Sequence, residues 1–227
     1  NRGDSDVEAR LPYKRITMCT TMEDYLGQFG TGGTREGEMM WPVAIAADNQ
    51  GILYVSDEAL HRISIFDGTG QFLSSWGVRG EKPGELNRPA GISCDNDTLL
   101  VVDSLNNRVQ RFTLDGRFLN EWGKEGTANG QFNLPWGVCV DSEGDVYVAD
   151  WRNDRIQKFT ADGKFLMKIG TSGKGEGQLD RPTSVDIDQD GLIYVADWGN
   201  DRVQVFDADG NFVAVLTGDA TISKWGK

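Results

Sequence analysis

The chain has 227 residues, a formal net charge of −12 and a sequence pI of about 4.5, with 38% hydrophobic residues, 29 glycines and 7 tryptophans. That charge disfavours a general affinity for nucleic acid or for an anionic membrane surface, and no apolar run is long enough to span a bilayer. The apolar and aromatic content suffices for one large core, and the glycine content suits a fold with many tight turns.

Residues 1–14 are polar and read as a flexible lead-in. They contain Arg2-Gly3-Asp4, a cell-adhesion tripeptide whose brevity gives it little weight. No signal-peptide pattern and no initiator methionine are present, so the sequence reads as a processed or trimmed product whose compartment stays open. The next stretch, 15–30, matches the back half of a unit that then recurs four times. Its Arg15 and Gly30 are separated like Arg108 and Gly123.

Each full unit opens with a glycine-rich segment ending in proline, as in Gly123, Gly126, Gly130, Phe132 and Pro135. No helix pattern and no Lys-Ser/Thr pair follow, so these glycines are not a phosphate cradle; they read as crossings between units that need unusual backbone angles. A short strand follows the proline, then a turn (DNQG, DNDT, DSEG, DQDG), then a second strand ending in aspartate. The aspartates Asp57, Asp103, Asp150 and Asp197 lie 46, 47 and 47 residues apart. An arginine stands five residues after each: Arg62, Arg108, Arg155 and Arg202. That arginine opens a third strand, and an Asp-Gly-rich turn leads to a fourth. Units of about 47 residues built from four short strands have the length of a propeller blade.

The expected fold is therefore all-β: a β-propeller of four-stranded blades spanning 15–218, with four full blades and a leading half blade. A C-terminal extension, 219–227, starts no recognisable unit. Repeated four times, the aspartate and arginine read as structural: the carboxylate accepts loop amides, and the guanidinium pairs with it or with a neighbouring blade's.

Pro135, Trp136, Gly137, Val138, Asp141, Gly144, Val146–Asp150, Asn153, Arg155, Ile156 and Phe159 make the third unit resemble the NHL repeat, and the other units follow in phase. Departures are local: Leu60 stands for the usual asparagine, His61 for Asp154, and Ser184 for the glycine after proline. The resemblance implies a propeller that commonly has six blades, which would need about 280 residues. The chain thus reads as part of a longer protein, or as a ring open or closed by another element. Unpaired blade edges would then invite association.

Crossings and Asp-Arg loops should lie at one end of each blade and the hairpin turns at the other. The crossing end is near charge balance and the hairpin end strongly acidic, with Arg117 and Lys164 as its only bases. The crossing end also collects tryptophan and arginine, a composition suited to recognition. The candidate binding residues are Trp41, Arg88, Trp136, Trp151, Arg152, Arg181 and Trp198, for a protein or peptide partner. This reading is a non-catalytic scaffold. Its alternative is a metal-assisted lyase or hydrolase with a site near the propeller axis, since some relatives of the resembled family set several histidines around a metal there. His61 is the chain's one histidine, and no catalytic triad spacing is found. RNA binding, known in some NHL relatives, would call for a more basic face.

Two further features concern ligands. Asp186, Asp188 and Asp190 spell DxDxDG, a spacing compatible with a calcium loop. Cys19, Cys94 and Cys139 show no metal or redox spacing. Cys94 and Cys139 fall one register apart on equivalent strands, so they should face opposite sides of their sheets.

Overall fold

The structure, a computed structural model, describes residues 14–20 and 24–216. The lead-in up to residue 13, with its Arg-Gly-Asp tripeptide, and the C-terminal extension 219–227 lie outside the described residues. The chain divides into two compact units, one ending at Glu121 and one beginning at Trp122.

The first unit opens with the expected half blade, an antiparallel pair of Ile16–Cys19 and Tyr25–Phe29 with Ile16 opposite Phe29. Blade 1 is an antiparallel sheet of Pro42–Ala47, Leu53–Asp57, Arg62–Phe66 and Phe72–Trp76, in sequence order. Blade 2 repeats it with Pro89–Asp95, Thr98–Asp103, Arg108–Thr113 and Phe118–Trp122. In the second unit, blade 3 is Pro135–Val140, Val146–Asp150, Arg155–Phe159 and Phe165–Ile169. Blade 4 is Pro182–Ile187, Ile193–Asp197, Arg202–Phe206 and Phe212–Leu216.

The turns follow from side-chain chemistry. Asp48, Asp141 and Asp188 each accept two backbone N–H groups through Oδ1, from residues two and four further on. This closes the first hairpin of the blade at a residue that favours turns for that reason. Asp67 and Asp207 do the same for the outer hairpin, and in blades 2 and 3 Thr113 and Thr160 take over the acceptor role.

The middle strands are buried on both sides of their sheets. All of Leu99–Asp103 and Val146–Asp150 is buried, which explains why these strands read as near-continuous apolar runs rather than as alternation. Phe66, Phe112, Phe159 and Phe206 fill the same place on the third strand and are at most 1% exposed. Blades 1 and 2 share a core of Tyr54, Ile63, Leu86, Leu99, Val101 and Phe112, and blades 3 and 4 share one of Tyr147, Ile156, Leu179, Val195 and Phe206.

The three cysteines are free. Cys94 packs into the core shared with blade 1, whereas Cys139 packs into the core shared with blade 4. They thus look in opposite directions along the chain, as the one-residue register difference requires. Burial pushes the Cys139 thiol well above its usual range and that of Cys94 to about 11.

Candidate functional site

The aspartate–arginine phrase is a fastening in blades 2, 3 and 4. Asp103, fully buried, accepts the Asn87 backbone N–H at 2.6 Å on Oδ1. Its Oδ2 accepts from Asn106 Nδ2 at 2.8 Å, Arg108 Nε at 2.8 Å and Gln110 Nε2 at 3.1 Å. The far end of Arg108 donates to the carbonyls of Lys82 and Glu85, while Gln110 donates to Glu85 and accepts from Gly84. The crossing is thereby bolted to the Asp-Arg loop of its own blade. The same bonds recur around Asp150 with Asn153, Arg155 and Gln157, and around Asp197 with Asn200, Arg202 and Gln204. Burial pushes Asp103 and Asp150 above the usual carboxylate range, and the surrounding donors pull them back. The asparagine was legible in the repeat pattern, at Asn153 and through its replacement by Leu60. The glutamine seven residues after the aspartate, at Gln110, Gln157 and Gln204, recurs with the same regularity but lay outside that pattern.

Blade 1 corrects the expected Asp57–Arg62 pairing. Arg62 donates instead to the carbonyls of Arg35 at 2.8 Å and Glu38 at 2.7 Å. Asp57 accepts the backbone N–H groups of Met40, Trp41, Ala59 and Leu60. The cause is chemical: Leu60 and Ser64 occupy the asparagine and glutamine positions, so two donors to Oδ2 are gone and the Met40 amide moves in. Arg62 Nε and Ser64 Oγ are left buried without a hydrogen-bond partner.

His61, Asn107, Asp154 and Asp201 share a left-handed backbone, with φ between 52° and 54°. Asparagine, aspartate and histidine tolerate that conformation better than other non-glycine residues. Asp154 Oδ1 accepts the Arg181 backbone N–H at 2.8 Å, tying blade 3 to blade 4. His61 Nδ1 accepts that of Arg88 at 3.0 Å, tying blade 1 to blade 2.

Five of the seven candidate binding residues come together in the second unit. Trp136 follows Pro135 at the start of blade 3, and Trp151 follows Asp150 on a single 3-10 turn, Trp151–Asn153. Trp198 holds the equivalent place on blade 4, at the start of Trp198–Asn200. With Thr183 these three indoles line a cleft of about 220 Å³. The Trp136 and Trp151 rings lie 6.3 Å apart at 45°. The Arg152 guanidinium stands 5.4 Å from the centre of the Trp151 ring, and that of Arg181 4.7 Å from the centre of the Trp198 ring. Arg181 also donates from Nε to Asp180 Oδ1 at 2.8 Å. Trp198 is 55% exposed, high for a residue type that is well buried on average.

The cleft depends on a close approach of the two blades. A methyl group on Gly137 would lie 2.7 Å from the Thr183 carbonyl oxygen and 2.8 Å from Ser184 Cα. Blades 1 and 2 carry Val43 with Glu58, and Ala90 with Ser104, at the positions of these indoles. Trp41 and Arg88 belong to the first unit and do not line this cleft. Trp41 is exposed with its backbone N–H on Asp57, and Arg88 is ion-paired with Glu58. Thr183, which completes the cleft, carried no signal in the sequence beyond following a proline.

The acidic end of the blades is less lopsided than its turn residues suggest. Lys158 reaches Asp145 at 2.9 Å and Asp141 at 3.5 Å, and Arg111 reaches Asp95 at 2.6 Å. Both bases sit on third strands, and their long side chains carry charge to the turns. Among the described residues, no three histidine, cysteine, aspartate or glutamate side chains are grouped as metal ligands. Asp188, in the DxDxDG stretch, spends Oδ1 on its own turn and Oδ2 on the Tyr194 hydroxyl, and Asp186 Oδ1 accepts the Ile187 N–H. No helix among the described residues is long and apolar enough to cross a membrane.

Sequential antiparallel four-stranded sheets, joined by crossings and packed through their faces, define the β-propeller class. The NHL-repeat model matches residues 132–159 and 179–206, and a family described as a 6-bladed β-propeller matches 43–125. The chain is a β-propeller that carries NHL repeats in its third and fourth blades. None of the curated proteins matches its sequence. Among solved structures, a streptogramin B lyase aligns with a TM-score of 0.66 at 15% identity, over 91% of this chain and 62% of that one. A protein of unknown function from Bacteroides caccae aligns at 0.65 and 12% identity, over 91% and 70%. The Kuenenia stuttgartiensis hydrazine synthase aligns at 0.60 and 19% identity, over 83% and 52%. At these identities the likeness is one of fold. The chain spans 62% of the length of the streptogramin B lyase it resembles.

Proposed function

We propose that this chain is a binding scaffold that takes a protein or peptide segment at the crossing end of its blades, through the tryptophan cleft of blades 3 and 4. The observation that carries this is the contrast between two sets of side chains at that end. The aspartates, asparagines, arginines and glutamines of the repeated phrase are consumed by the chain's own carbonyls and amides. The indoles of Trp136, Trp151 and Trp198 meet around a cleft instead. Tryptophan and arginine grouped in this way supply most of the energy in protein recognition. The size supports a peptide anchor over a free small molecule, because pockets for drug-sized ligands run from about 300 to 1,000 Å³.

The test is selection of a random peptide library on the protein, alongside a variant with Trp136, Trp151 and Trp198 all changed to alanine. Enriched peptides that bind the parent and lose binding to the variant support the proposal. No enrichment, or peptides that bind both proteins alike, would overturn it. No comparable observation favours a metal-assisted lyase: His61, the one histidine, has its Nδ1 engaged by the Arg88 backbone.

A further inference from the structure

The chemistry of the cleft narrows its occupant. Resting on the peptide-binding reading above, we infer that the cleft takes a single aromatic side chain from a segment whose neighbouring residues are acidic.

Three observations lead there. First, the lining is three indoles and one threonine, so it offers much apolar surface and few hydrogen bonds. A sugar would leave most of its hydroxyls unpaired there, at a cost each time. An aromatic ring gains both burial and offset or edge stacking against the indoles.

Second, guanidinium groups already stand over two of the three rings: Arg152 on Trp151 and Arg181 on Trp198. An aromatic cage attracts cations through the negative faces of its rings. Here those faces are partly taken, and the resident charges repel an incoming ammonium.

Third, the two arginines differ in what holds them. Arg181 is ion-paired with Asp180, while among the described residues Arg152 is exposed and enters no ion pair. A carboxylate beside the aromatic anchor would meet Arg152 across the cleft rim. Such a contact would tune selectivity, with the apolar anchor supplying most of the affinity.

The experiment uses the full chain and short blocked peptides, followed by calorimetry and by intrinsic tryptophan fluorescence. The first peptide has one phenylalanine with two glutamates on each side. The second replaces the glutamates by lysines, and the third replaces the phenylalanine by alanine. We expect the first to bind, the second to bind at least tenfold more weakly, and the third not to bind. Trp151→Leu should weaken the first peptide about thirtyfold, as loss of a strong hot spot does. Thr183→Phe, which fills the cleft from its other wall, should abolish binding while the melting temperature stays near that of the parent. The double variant Arg152→Gln with Arg181→Gln should bring the first two peptides within about threefold of each other.

A lysine-flanked peptide that binds as tightly as the glutamate-flanked one would overturn the charge preference and leave peptide binding standing. So would a preference that persists in the arginine double variant. Failure of all three peptides, while library-selected peptides still bind through the tryptophans, would overturn the aromatic-acidic assignment alone. If library peptides fail as well, both readings fall. A chitin oligosaccharide that binds the parent as tightly as the first peptide, and is lost in Trp151→Leu, would replace the aromatic anchor with a sugar.

Discussion

The Nδ1 atom of His61 accepts the backbone N–H of Arg88 at 3.0 Å. The bond requires a neutral imidazole, because a protonated ring nitrogen cannot accept. Desolvation, aided by Arg79 and Arg88 and opposed by Asp103 and Asp57, holds the His61 pKa below its ordinary value of 6.5. The unfolded chain therefore takes up this proton at higher pH than the folded one does. The stabilisation is complete above about pH 6.5 and declines as pH falls from there towards the lowered folded value. His61→Asn keeps an acceptor that tolerates the left-handed backbone and removes the titration. Urea unfolding of the parent and of this variant between pH 7.5 and 5.0 should show a loss in the parent that the variant lacks.

The two versions of the fastening should respond oppositely to alanine. Gln157 is fully buried, with bonds to Asp150, Gln131 and Gly130. Gln157→Ala should destabilise by about 2 kcal/mol, because buried donors and acceptors lose their partners. Ser64 stands at the same place in blade 1 with its buried hydroxyl unpartnered. Ser64→Ala should leave stability unchanged or raise it slightly. Chemical denaturation of both variants is the measurement, and equal losses would contradict the bonding described.

Gly137→Ala places a methyl group against the backbone of blade 4, at 2.7 Å from the Thr183 carbonyl oxygen. Relief requires blades 3 and 4 to move apart, at about 1–3 kcal/mol for overpacking of this kind. The variant should melt lower and lose the selected peptides. Gly144→Ala meets no atom within 4 Å and serves as the control, carrying only the strain of its φ of +86°.

Thiol accessibility checks the directions in which the strands face. Cys19 is exposed, Cys94 half-buried and Cys139 buried. Burial also keeps the Cys94 and Cys139 thiols protonated, and the thiolate is the reactive form. A disulfide reagent at pH 8 should modify Cys19 in a fast phase and Cys94 slowly. Cys139 should react only as the chain unfolds. A fast second phase from Cys139 would place it on the wrong side of its sheet.

Much of the architecture was legible because it repeats. Asp150, Arg155 and Phe159 recur at one spacing through the chain, and a recurring spacing reports a recurring contact. The strands, their order and the half blade at 15–30 follow from that periodicity together with the turn residues. The candidate site was legible only as an inventory: tryptophans and arginines belonging to loops at one end of the blades. Nothing in the spacing separated Trp136, Trp151 and Trp198, which share a cleft, from Trp41, which stands in the other unit. The failure of Asp57 and Arg62 to pair was likewise hidden, although its causes, Leu60 and Ser64, were in view.

The sequence by itself determined the blade, because strand, turn and fastening are made within about 47 residues and depend on local alternation and near-neighbour chemistry. Only the tertiary structure decided the site. The cleft is formed where blade 3 meets blade 4, and its shape depends on how closely Gly137 lets Thr183 approach. Residues some 47 positions apart are brought together by packing between blades, and packing distances are not written in residue spacing.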